Sequence, residues 1–268
     1  MDQFQETVWE YYHDHARQMP WRDNHNPYWV VVSEVMLQQT QVSRVVLKFE
    51  YFVSRFPDWN SLAAAPLSEV LRAWQGLGYN SRGKRLHQLA QIVMNEHHGQ
   101  LPSDPKELIK LPGIGPNTTG SIAAFAFNQP VVFIETNIRR VFIQHFFEDH
   151  DEVTDKQLLP FIKESLNTEN PREWYYALMD YGAHLAKQVP NPNRRSKHYT
   201  RQSTFEGSNR QLRAQILRYI LKHKSATEAD IKKAFANTES SRIESVLQQY
   251  LQENLLKQAN NKRYSLVE

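Results

Sequence analysis

Two glutamates stand out by their surroundings. Glu34 lies in VVVSEVML, with Val30, Val31, Val32, Val35, Met36 and Leu37 around it. A carboxylate is rarely placed among such neighbours, because loss of water penalises its charged form. Partial desolvation raises a carboxyl pKa and allows proton donation near neutral pH. An ion-paired structural carboxylate, or one at the polar edge of its helix, is the competing reading. Glu135 follows the apolar VVFI and precedes Thr136 and Asn137 at a helix start, where an acid is electrostatically favoured. An ordinary capping-region glutamate would look the same. One acid able to donate and a second one ionised suit hydrolysis through a cationic transition state. The first protonates the leaving group and the second stabilises the cation or activates water.

Between these acids runs LPGIGPNTTGSIAAFAFNQP. A short helix over Asp104 to Leu111 is stopped by Pro112 and Gly113. Gly113 and Gly115 leave the turn free of side chains, and the next helix begins at Pro116 or Asn117. Its first N–H groups lack intrahelical acceptors, so the corner can hold an anion such as a DNA phosphate. A tight helical corner that binds nothing is the alternative.

The elements that must position these groups are helical. Apolar periodicity runs from Phe4 to Gln18 and breaks at Met19-Pro20-Trp21-Arg22; a buried helix follows over Pro27 to Gln39. Further helices are expected near Val42 to Phe56, Ser61 to Ala64, Pro66 to Trp74, Ser81 to His97, Thr136 to Phe147, Asp155 to Leu166 and Pro171 to Lys187. Connections are short and rich in Pro, Gly, Asn or Ser, giving a mainly α protein without a parallel sheet. Val131 to Ile134 has strand propensity but no neighbouring partner strand, so it is read as a buried helix entry. A second domain is expected over 209–268, with helices at Arg210 to Lys222, from Thr227, and at Ser240 to Glu253. Two short strands around Ala259 to Asn261 complete a winged-helix-like pattern.

Apolar residues at 40% and charged residues at 23% describe a globular chain. No apolar run approaches 18 residues and no leader opens the chain, so neither a membrane span nor secretion is expected. The absence of cysteine excludes disulfides, zinc thiolates and cysteine-ligated iron–sulfur clusters. No metal site or cofactor is expected. From Asn191 onward there are 15 Lys and Arg against 7 Asp and Glu, leaving 17 against 22 before it. A basic C-terminal part suits a polyanionic partner, and Lys262 and Arg263 at the wing favour DNA over a protein contact.

The ordered segments PWR, SEVMLQQTQV, GLGYNSRGKRLH, LPGIG and YYALMDYG resemble the helix-hairpin-helix base-excision DNA glycosylases. Within them the chain is similar to the adenine glycosylase branch, which removes adenine opposite 8-oxoguanine. The likeness covers about Trp9 to Gly182. It implies a two-lobed core over 1–190, with lobes of about 28–130 and of 1–27 plus 131–190 and a cleft between them. A basic linker over 191–208 stands where the family carries its iron–sulfur loop, with Ala186, Arg194 and Lys197 near the expected cysteine positions. The family's Nudix-like C-terminal domain has no counterpart in the sequence read.

The resemblance makes Glu34 the acid that protonates adenine and Glu135 the second acid. IETNIRRV replaces the family's aspartate with Glu135 and its glycine with Thr136, while Asn137, Arg140 and Val141 agree. The extra methylene keeps charge but can displace the carboxyl oxygen, and catalysis responds to shifts of about 1 Å. Asn117 stands where lyase-type relatives place a Schiff-base lysine, which implies a monofunctional hydrolase. Gln39 and Tyr79, with Gln38 close by, match positions that fill the stack left by a flipped base. Trp21 and Arg22 match the segment lining the base pocket. Arg82, Lys84 and Arg85 offer phosphate contacts, with a solvated basic turn as alternative. The expectation is a monomeric, cytoplasmic enzyme acting on mismatched double-stranded DNA. A same-fold glycosylase for thymine, uracil or another altered base, and a catalytically weak DNA-binding protein, are the alternatives.

Overall fold

The computed structural model describes residues 1–201 and 204–267. Residues 202 and 203 of the expected linker and residue 268 of the expected C-terminal domain lie outside the described residues. The chain is mostly helical. The first helices are α1 (Asp2–His15), α2 (Pro27–Leu37), α3 (Val42–Arg55), α4 (Trp59–Ala64), α5 (Leu67–Trp74) and α6 (Asn80–Glu96). Then follow α7 (Pro105–Leu108), α8 (Pro116–Phe127), α9 (Thr136–Phe146), α10 (Asp155–Glu164) and α11 (Pro171–Gln188), and a 3₁₀ turn at Pro192–Arg195. The last part holds α12 (Asn209–His223), β1 (Ser225–Thr227), α13 (Glu228–Ala234), α14 (Ser240–Gln252), β2 (Leu256–Gln258) and β3 (Arg263–Leu266).

The chain forms two compact units. The first comprises Met1–Glu34, Pro102–Lys110 and Ile114–Arg201, and the second comprises Val35–Leu101, Leu111–Gly113 and the C-terminal residues. These limits differ from the lobes expected at 28–130 and 131–190, since α8 and its approach group with the C-terminal helices of the core. The expected linker begins at Asn191, but Pro192, Asn193 and Ser196 are buried in the first unit.

In the first unit, α9 and α11 pack closely because Gly182 has no side chain. A Cβ there would lie 2.5 Å from the Asn137 carbonyl oxygen. Gly120 on α8 similarly admits the Phe133 ring, whose Cβ would lie 2.4 Å from an added methyl. Phe4 from α1 meets Phe142, Phe146 and Trp174 at ring-centroid separations of 5.0 to 6.2 Å. Each such buried side chain contributes roughly 1.5–3 kcal/mol by leaving water.

The second unit encloses one apolar cluster that joins Leu67 and Leu71 of α5 to Leu212, Ile216, Ile220, Ile243, Leu247 and Tyr250 of α12 and α14. Its three antiparallel strands run in the order β1-β3-β2, with Ala226 opposite Tyr264 and Lys257 opposite Ser265. The order α12, β1, α13, α14, β2, β3 is winged-helix-like. The sequence reading missed β1, whose three residues Ser-Ala-Thr carry no strand pattern.

Val131 to Ile134 corrects another expectation. It is neither helix nor strand, and α9 starts only at Thr136. Phe133 and Ile134 are buried individually, and Tyr175 Oη donates to the Val131 carbonyl at 2.7 Å. Side-chain packing and this hydrogen bond replace a regular backbone ladder. The helix expected over Asp104 to Leu111 shrinks to the single turn α7, capped by Asp104 at its start.

Candidate active site

Glu34 lies on the last turn of α2, whose start is capped by Asn26 Oδ1 accepting from Tyr28 N at 2.9 Å. Val30, Val31, Val32, Val35 and Met36 are at most 2% exposed, so the helix is buried nearly all round and Glu34 is held among apolar groups. Burial pushes the Glu34 carboxyl up to about 7. A hydrogen bond from Ser121 on α8 and the charge of Arg22 oppose the rise, and repulsion by Glu135 adds to it.

Ser121 has one hydroxyl proton, and its Oγ also lies 3.1 Å from the Thr118 carbonyl. When Glu34 is ionised, that proton can face the carboxylate. When Glu34 is protonated, the acid can donate to Ser121 Oγ while Ser121 donates to Thr118. Both protonation states of Glu34 therefore have a hydrogen-bonded arrangement.

Glu135 is the N-cap of α9. Its Oε1 accepts from Asn137 N at 2.6 Å and Ile138 N at 2.9 Å, and its Oε2 accepts from Asn137 Nδ2 at 3.3 Å. The side chain is folded back onto its own helix start, as a capping residue is. Burial raises the Glu135 pKa, against the two backbone donors and the charges of Arg140 and Arg139. Arg140 is fixed by Nη1 donating to Asn137 Oδ1 at 2.7 Å and to the Gly182 carbonyl at 2.8 Å. Asn193 Nδ2 donates to the Thr136 carbonyl at 3.0 Å, tying the 3₁₀ turn to the same helix start. Asn193 thus braces the residue that follows Glu135 rather than Glu135 itself. A cysteine-ligated cluster does not fit a chain without cysteine.

Arg22 is positioned by Asp180, which is 1% exposed and accepts from Arg22 Nη1 and Nη2 at 2.9 and 2.8 Å. Arg17 binds the same carboxylate through its backbone N and its Nε at 2.8 and 2.7 Å. Burial opposes ionisation, yet these hydrogen bonds and charges hold Asp180 below the usual carboxylate range. The Arg22 guanidinium lies 4.2 Å from the centre of the Tyr176 ring. Ser121, Asp180, Arg17 and Tyr176 were not singled out from sequence, although YYALMDYG holds an acid flanked by aromatics.

Other expected site residues are placed as follows. Trp21 is 4% exposed. Asn117 is exposed in the first turn of α8, after Gly113 with φ +84 and Gly115 in extended backbone. Gln39 is exposed with φ +55, and Gln38 Nε2 donates to the Gly113 carbonyl at 3.4 Å. Tyr79, 39% exposed with φ +45, is the N-cap residue of α6. Its hydroxyl accepts from Arg210 Nη1 at 3.4 Å. Arg85 is exposed beside Gly113.

Two basic residues depart from the expected phosphate role. Arg82 is buried and donates to the carbonyls of Val35, Met36, Leu77 and Gly78 and to Thr40 Oγ1, and burial pushes its pKa down to about 10. It braces the second unit from inside. Lys84 Nζ donates to the Glu253 and Asn254 carbonyls, both at 2.8 Å, closing the end of α14. Arg263 is likewise engaged, with Nε donating to Ser225 Oγ and Nη2 to the Ser225 carbonyl, both at 3.0 Å, while Lys262 is exposed.

Comparison with known proteins matches residues 32–164 to the family described as HhH-GPD superfamily base excision DNA repair protein. The adenine DNA glycosylase of Buchnera aphidicola subsp. Baizongia pistaciae is 36% identical over 182 residues, covering 67% of this chain and 52% of that protein. That of Mycolicibacterium smegmatis is 45% identical over 132 residues, covering 48% and 45%. The chain spans about half the length of the curated relatives it matches. A solved thermostable thymine-DNA glycosylase superposes with a TM-score of 0.60 at 25% identity, over 68% of this chain and 85% of the other.

Proposed function

The chain belongs to the HhH-GPD superfamily of base excision DNA repair proteins, and on that premise we propose that it is a monofunctional DNA glycosylase. Its substrate is adenine mispaired with 8-oxoguanine or guanine in duplex DNA. The observation that carries this reading is the electrostatic pairing of Glu34, held at a pKa of about 7, with Glu135 on a helix N-terminus.

In the proposed reaction the base is turned out of the stack. Protonated Glu34 gives its proton to a ring nitrogen as the bond between base and sugar breaks. The bonding electrons leave with the base, which departs neutral. Ionised Glu135 faces the cationic sugar and stabilises it or orients the water that adds to the anomeric carbon. The water's remaining proton passes to a carboxylate or to solvent. No step needs a metal or an iron–sulfur cluster. Asn117 offers no amine, so strand scission through this position is not expected.

The similarity to adenine glycosylases supports adenine, and the likeness to a thymine glycosylase gives the competing substrate. Single-turnover assays on duplexes carrying A opposite 8-oxoG, A opposite G, T opposite G and U opposite G discriminate them, with base release and strand scission measured separately. Adenine release without scission is expected. Release of thymine or uracil but not adenine would overturn the substrate assignment, and no release from any duplex would leave a DNA-binding protein.

A further inference from the structure

The second unit contains a concave site that the proposed chemistry does not use. It is a cavity of about 390 Å³ lined by Ser68 and Arg72 of α5, Ile220 and Leu221 of α12, Lys224, Lys257 of β2, and Ser265 and Leu266 of β3. Its polar groups are three cations and two hydroxyls, and the lining contains no acid. Lys257 and Ser265 are directly opposed across β2 and β3, which places both side chains on one face of the sheet. Lys224 has a positive φ, +63, directly after α12, a geometry that L residues rarely adopt. Arg72 Nη2 donates to the Leu221 carbonyl at 3.2 Å, so the guanidinium is anchored at the end of α12. Among the described residues, neither Lys224 nor Lys257 nor Arg72 makes an ion pair with a carboxylate.

Three cations lining one concavity that has no acid in its lining create a local positive potential. Serine hydroxyls supply the further donors that an oxyanion accepts. Ile220, Leu221 and Leu266 add an apolar surface suited to a sugar or base carried by that anion. The volume is at the low end of the roughly 300–1,000 Å³ typical of small-molecule sites. We infer that this cavity binds a phosphate group, either of the DNA backbone or of a free nucleotide. The site is independent of the acid pair, and its role does not depend on which base is released.

The test uses the whole chain and the double substitution Lys224→Gln with Lys257→Gln. Arg72 is left intact because it caps α12. Binding of an undamaged duplex is measured by fluorescence anisotropy from low to moderate salt. Binding of pyrophosphate and AMP is followed by phosphorus NMR, with thermal melting as the control for folding. If the ligand is DNA, the double variant loses about one unit of salt dependence, near 0.9 for the one phosphate neutralised, at unchanged melting temperature. If the ligand is a free nucleotide, duplex binding is unchanged while wild-type broadening of the AMP or pyrophosphate signal disappears in the variant. An identical salt slope together with no phosphorus signal change for the wild type overturns the inference. Should the double variant melt early, Lys257→Glu alone replaces it, since Lys257 is exposed on its strand; the same losses support the site and their absence refutes it.

Discussion

Glu34 and Glu135 are the same residue in opposite electrostatic frames. Burial lifts both, yet Glu34 sits on the last turn of α2, where backbone N–H groups are already used within the helix and the dipole presents its negative end. Glu135 stands at the start of α9, where two free N–H groups meet one carboxyl oxygen and Arg140 and Arg139 add positive charge. Position along a helix therefore gives two identical side chains different surroundings: burial raises both, but only Glu135 is opposed by backbone donors at a helix start, and the proposed reaction uses the first as proton donor and the second as anion. Acid pairs split by environment in this way are what concerted acid and charge-stabilising chemistry needs.

The comparison is broken most severely at its donor. Glu34→Gln keeps shape but removes the transferable proton, and base release is expected to fall by about 10²–10⁴-fold, the usual contribution of general acid catalysis. Duplex affinity should stay within about twofold of wild type, a range worth only ~0.4 kcal/mol. Unchanged release in a single-turnover assay removes Glu34 from the donor role. At the anionic end, Glu135→Gln retains an oxygen that can accept from Asn137 N and Ile138 N, so the helix cap and melting temperature persist. The charge is lost, and release should fall by about 10²–10³-fold, as for removal of one transition-state electrostatic contact. A variant that folds and releases base normally would show that Glu135 is a helix cap alone.

Much of this contrast is legible in the sequence. An acid amid valines and an acid before a helix start were visible in the sequence, as were the glycine corner, the helix count of the core and the winged-helix-like end. What escaped were the partners, because Ser121 reaches Glu34, Asp180 reaches Arg22 and Asn193 reaches the start of α9 from distant segments. Their types are common on ordinary helices and turns, and only tertiary packing gives them roles. Arg82 and Lys84 show the reverse error. A basic run after a glycine turn reads as a solvent-facing phosphate contact, yet the helical period of α6 turns Arg82 into the interior. Val131 to Ile134 was misjudged because its residues are buried one by one against Tyr175 and Gly120 rather than along a periodic face.

The raised pKa of Glu34 also has a stability consequence. A carboxyl whose folded pKa exceeds its unfolded value favours folding least when ionised, so its cost is absent below about 4.5 and fully present above about 7. Glu34→Gln removes that cost. Its melting temperature should exceed that of wild type by several degrees at pH 8, and the gain should vanish at pH 4, as thermal scans across that window would register. A gain of equal size at both pH values would assign the effect to packing.

The smallest expected effect is the most specific to the geometry. Ser121 stabilises ionised Glu34 by donating to it, which holds the carboxyl pKa below the value that burial alone would set. Ser121→Ala deletes that hydrogen bond and leaves the Thr118 carbonyl without this donor. The Glu34 pKa must then rise, so the protonated acid persists to higher pH. In a single-turnover pH profile the falling alkaline limb, near 7 in the wild type, should move upward in Ser121→Ala, while the rate on the acidic plateau changes little. A limb that moves downward would mean that the hydroxyl chiefly accepts from protonated Glu34. A limb that stays in place would mean that another group sets it, and the proton donor would have to be sought elsewhere in the first unit.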